Sequence, residues 1–87
     1  MPYIKQERRA QLDQSIETLV YSLRQMNWTA GDLNYCFYRL MKRIFIHRPE
    51  YQTLNDFRGA LGNTWDEFYR RVAVPYEKRK QKLNGDV

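Results

Sequence analysis

Apolar residues return every three or four positions in three separate stretches of this chain, a period that points to helices rather than strands. In the first stretch Leu12, Ile16, Leu19, Val20, Leu23 and Met26 fall on one side, with Gln14, Thr18 and Gln25 opposite. Asp13 is a candidate N-cap, or an early-turn acid in a helix begun near Gln6. Asn27-Trp28 closes the block, and Trp28 is expected to fold back as a lid on the core. The second stretch opens with Thr29-Ala30-Gly31-Asp32, a capping box with Asp in place of Glu, and runs to about His47. Pro49 stops it there, because its ring disfavours helical backbone at Arg48.

The third stretch starts from Thr53 or Asn55 as cap, and Leu54, Phe57, Leu61, Trp65, Phe68 and Val72 mark one narrow face. Gly59 and Gly62 within it suggest a close approach to a neighbouring element. Pro75 is expected to interrupt this helix, leaving Tyr76 to Leu83 as a short fourth helix or a frayed end. The fold expected is all-α, a small up-down-up three-helix bundle with a short C-terminal fourth helix. Residues 1–78 form the single helical domain, and residues 79–87 a basic, flexible tail.

An 87-residue chain has room for one thin core. With 43% hydrophobic and 15% aromatic residues it is too apolar to be a disordered segment. Its single Cys excludes an internal disulfide, and one Cys with one His cannot build a Cys/His zinc site. No run approaches the roughly 20 apolar residues of a membrane span, and the start has no apolar signal core. The expected location is therefore cytoplasmic.

Catalytic chemistry is sparse. His47 has no second ligand at helical spacing, and Cys36 lies three turns from His47, too far along one helix to share a proton with it. Ser15 and Ser22 have no local His or Asp, the glycines form no phosphate loop, and the acids are scattered. The expectation is a non-enzymatic protein without cofactor or bound metal.

The second helix departs from an ordinary amphipathic pattern. Leu33, Phe37, Leu40 and Ile44 make one stripe, flanked by Cys36 and Met41. The opposite side carries Tyr35, Tyr38, Arg39, Lys42, Phe45 and Ile46, where a solvated helix would place Glu, Lys and Gln. Three coverings are open: the N-terminal arm (Pro2, Tyr3, Ile4) or the segment around Val74 and Tyr76, a second copy of the chain, or a foreign partner.

Charge gathers on the same helix. Residues 1–35 balance, with four bases and four acids. Residues 36–48 carry Arg39, Lys42, Arg43 and Arg48 without an acid, for +4; residues 49–69 sum to −3 and residues 70–87 to +4, giving the net +5. Tyr and Arg among aliphatic neighbours are the mix enriched at binding hot spots. The candidate partner-binding residues are Tyr35, Tyr38, Arg39, Lys42, Arg43 and Phe45, with Arg79 and Lys80 as electrostatic support.

The blocks Met-Pro-Tyr-Ile at the start, Gly31-Asp32-Leu33-Asn34-Tyr35, Glu67-Phe68-Tyr69-Arg70-Arg71-Val72 with Pro75-Tyr76-Glu77, and Asn84-Gly85-Asp86-Val87 at the end resemble a family of small, uncharacterised phage- and prophage-encoded proteins. The likeness runs from end to end and carries no catalytic or cofactor residue. It implies an intracellular accessory protein acting in a bacterial host. The function expected is binding of a host protein or other macromolecule, as a counter-defence (anti-CRISPR-like) inhibitor or host-takeover factor. A nucleotide or nucleic-acid binder, including a signalling-nucleotide sponge, is the second reading, with Arg39, Lys42 and Arg43 on phosphates and Tyr38 stacking. A structural homo-oligomer is the third.

Overall fold

The computed structural model describes residues 3–87, so Met1 and Pro2, the start of the expected N-terminal arm and of the Met-Pro-Tyr-Ile block, lie outside the described residues. The fold is all-α: three helices account for 85% of the described residues, and no strand occurs among them. α1 spans Gln6–Gln25, α2 Ala30–His47 and α3 Tyr51–Phe68; a π turn, Tyr69–Ala73, then joins α3 to α4, Val74–Asn84, in one 34-residue helix. Contacts divide the chain into two compact units, residues 3–54 and residues 55–87.

In the first unit, α1 begins well before Asp13, with Lys5 as its cap residue and Arg9 Nε donating 2.8 Å to the Ile4 carbonyl. It ends in a Schellman turn. Asn27 takes the left-handed conformation at φ 53°, and the Trp28 and Asn27 amides donate to the Leu23 and Arg24 carbonyls at 3.1 and 3.2 Å. Trp28 does not fold back as a lid; half its surface is exposed.

The capping box of α2 forms as its residues dictate. The Thr29 amide donates to Asp32 Oδ2 at 2.8 Å, and the Asp32 amide donates to Thr29 Oγ1 at 3.4 Å. At the other end Arg48 leaves the helical region (φ −144°), as the residue before Pro49 must, and its amide still donates to the Ile44 and Phe45 carbonyls. α3 restarts at Tyr51, earlier than a cap at Thr53 or Asn55 would place it. The Glu50 carbonyl takes the first helical bonds, from the Thr53 and Leu54 amides at 3.1 and 3.4 Å, so Glu50 stands at the cap position.

In the second unit, Pro75 does not break the helix. The π turn immediately before it shifts hydrogen bonding to a wider loop, and Pro75 falls in the first turn of α4, where a missing N–H is tolerated. Residues 79–84, expected to lie in the tail, are helical, and α4 closes at Gly85, whose φ of 87° suits glycine. Glu67 is the buried carboxylate of this unit, ion-paired to Arg70 and, at 3.9 Å, to Arg71. Trp65 stacks on Phe68 (6.3 Å between ring centroids) and meets Tyr69 at a tilt (6.0 Å). A Cβ built at Gly59 or Gly62 meets nothing within 4 Å, so these glycines do not serve a close helix approach.

No apolar side chain is buried among the described residues. The expected core stripe of α2 is inverted in part: Phe37, Leu40 and Ile44 are exposed, whereas Phe45, read from the wheel as outward, is half-buried with Leu33, Cys36 and Met41.

Candidate interaction surface on the second helix

Tyr35, Tyr38, Arg39, Lys42, Arg43 and Ile46 recur at spacings of three and four, so a helix held from the Thr29 cap to Arg48 sets them along one face. They line a shallow open cleft of about 280 Å³. Within it Arg39 Nη1 donates a 2.8 Å hydrogen bond to the Tyr35 hydroxyl one turn earlier, an i,i+4 pair in reach on any regular helix. That hydrogen bond, with the charge of the Tyr35 oxygen, raises the Arg39 pKa further above its ordinary value, so the guanidinium is charged at every physiological pH. Lys42 and Arg43 follow within the next turn, and no acid lines the cleft. The tyrosines expose more than half their surface, as does Ile46.

The chemistry available is plain. Three cations, two phenol rings and one aliphatic side chain line the cleft, a set that attracts anionic groups and gives aromatic contact area at low entropic cost. The Tyr35–Arg39 bond holds the guanidinium of Arg39 over the start of the face, so less side-chain freedom is lost when it meets a carboxylate or phosphate.

The sequence-predicted residues divide into two groups. Tyr35, Tyr38, Arg39, Lys42 and Arg43 come together in this cleft. Phe45 lies outside it and is half-buried. Arg79 and Lys80 belong to α4 in the other unit. There they flank Tyr76, Arg79 at 5.9 Å and Lys80 at 5.7 Å from the ring centroid, close enough for cation–π attraction. Lys80 and Tyr76 line a second open cleft of about 590 Å³ with Glu77, Lys78, Gln81 and Asn84. Ile46 was missed as a site residue; its position eleven residues after Tyr35, three turns on, was the signal that could have found it.

Among the described residues no group of three His, Cys, Asp or Glu side chains gathers as a metal-binding cluster, and no helix is long and apolar enough to cross a membrane.

The chain belongs to the DUF6899 family, described as a domain of unknown function, whose profile matches residues 1–87. No curated protein and no solved structure matches it.

Proposed function

We propose that this DUF6899 protein is a non-enzymatic binding module that docks an acidic surface of another protein onto the α2 cleft. The observation that carries this reading is the clustering of Tyr35, Tyr38, Arg39, Lys42, Arg43 and Ile46 on one exposed helix face with no acid among them. Tyr and Arg beside an aliphatic residue form the mix that dominates protein hot spots, where aromatic area supplies affinity and cations supply orientation. The resemblance to phage- and prophage-encoded proteins supports a host target, which makes counter-defence or host takeover by occlusion the natural setting. A sponge for nucleotides or nucleic acid would use the same cations but would rest mainly on phosphate neutralisation, and salt separates the two.

The test is affinity capture with the tagged chain from bacterial cells, compared with the Arg39→Glu/Lys42→Glu variant. The reading expects one dominant protein, retained at moderate salt and lost from the variant while helicity by circular dichroism is unchanged. Recovery of the same protein by the variant would overturn it. So would capture of nucleic acid alone with an affinity falling steeply in log–log salt plots.

A further inference from the structure

We propose that the C-terminal helix α4 binds duplex DNA by lying in its major groove, through Lys78, Arg79, Lys80 and Lys82. None of these residues lines the α2 cleft, and α4 lies wholly within the second unit.

The first observation is uncompensated charge. Lys78-Arg79-Lys80-Gln81-Lys82 sets four cations within five residues, with Glu77 as the one acid of α4. Arg70 and Arg71, earlier on the same long helix, are paired with Glu67. Among the described residues no carboxylate pairs with any of the four cations of α4. Every residue from Pro75 to Val87 is exposed, so this charge stands in solvent rather than under another element. A partner that brings several fixed anions relieves its self-repulsion.

The second observation is how the charge is spread around the helix. At about 100° per residue, Lys78 and Lys80 lie on opposite flanks of Arg79, and Tyr76, Lys82 and Leu83 lie between those flanks. Together they take up an arc of about 200° that holds no acid. Glu77, Gln81 and Asn84 occupy the remaining side. The ring contacts agree with this placement: Arg79 and Lys80 both approach Tyr76, at 5.9 and 5.7 Å from its centroid.

The width of that arc selects the occupant. An acidic patch on a protein, or an anionic bilayer, meets one side of a helix lying on it and leaves the opposite flank in water. A bilayer also holds such a helix by its apolar area, and Tyr76 and Leu83 are the only apolar side chains on the arc. The major groove of B-form DNA carries phosphates on both walls and is about 12 Å wide, which admits a helix of about 10–12 Å with its side chains. In that groove Lys78 and Lys80 face phosphates of the two strands, Arg79 and Lys82 face the floor, and Glu77 points away from the DNA. Duplex RNA carries similar charge, but its major groove is deep and too narrow to be read this way. α4 also continues unbroken from α3 through the π turn, and a continuous helix ending in a basic stretch is a form in which such grooves are crossed.

The experiment measures binding of the full chain to a labelled, mixed-sequence DNA duplex by fluorescence anisotropy across a salt series. Lys78→Gln/Lys80→Gln, checked for unchanged helicity by circular dichroism, removes two phosphate contacts. It should reduce the log–log salt slope by about 1.8 and weaken binding on the order of 10-fold or more. Arg39→Gln/Lys42→Gln removes the same charge from α2 and should leave the slope unchanged. Equal losses in the two variants would overturn the proposal, since net charge alone would then account for binding. So would no binding at about 50 mM salt, equal affinity for duplex RNA of the same length, or binding to phosphatidylserine vesicles in place of DNA. The docking of a protein on α2 is read separately, by capture with Arg39→Glu/Lys42→Glu, so either proposal can fail while the other stands.

Discussion

The capping box of α2 offers a sharp energetic test, because its two halves differ in geometry. The Thr29 amide reaches Asp32 Oδ2 at 2.8 Å, a short charge-assisted bond, while the Asp32 amide reaches Thr29 Oγ1 at only 3.4 Å. Removing a good N-cap side chain costs about 1 kcal/mol on average. At 3.4 Å in an exposed position Thr29→Ala should fall at the low end, about 0.5 kcal/mol. Asp32→Ala removes the shorter bond together with a carboxylate in the first helical turn, which adds about 0.3–1 kcal/mol of dipole interaction, for a total near 1–1.5 kcal/mol. Urea unfolding followed at 222 nm reads both values against the wild type. The consequence for function is local: Tyr35 stands one turn beyond Asp32, so a frayed first turn should also weaken partner binding. The reasoning is refuted if Thr29→Ala costs as much as Asp32→Ala, or if Asp32→Ala is neutral.

Two further outcomes follow from the second unit. Gly59→Ala and Gly62→Ala should each stabilise the chain by about 0.5–1 kcal/mol, because both sit inside α3 with open space for a Cβ; thermal melts of the single and double variants check size and additivity. Glu67→Gln should cost about 1 kcal/mol, because it replaces the charge-assisted bonds to Arg70 and Arg71 with neutral ones, and urea denaturation checks it.

Much of the fold was legible because helices announce themselves locally. The Thr29–Asp32 cap, the stop before Pro49 and the apolar period each act within a few residues, so α2 could be bounded closely from sequence. Pro75 misled because its usual penalty assumes a regular helix around it. A π turn moves that residue into a first-turn setting, and nothing in the apolar spacing marks such a turn. The start of α3 was missed because Glu50 caps through its backbone carbonyl, which any residue type supplies.

The site was legible where it depends on one helix and illegible where it depends on burial. Tyr35 to Arg43 could be grouped from a wheel, and Tyr35 and Arg39 are bonded at 2.8 Å as i,i+4 neighbours should be. Phe45 could not, since whether a residue on the wheel's edge is covered is decided by what lies beyond its own helix. Leu54, Trp65 and Phe68 share one face by their spacing, and all three are exposed. Their period reports that a face needs covering, and does not report by what.

The claim that the Tyr35–Ile46 face of α2 receives a foreign protein is tested most directly by placing a photo-cross-linking amino acid at position 38 in cells, with position 18 on α1 as the control. The account predicts a single heterologous protein adduct from position 38, abolished by Arg39→Glu/Lys42→Glu and absent from position 18. An adduct from position 38 only to nucleic acid or only to a second copy of the chain, or identical adducts from both positions, would contradict it.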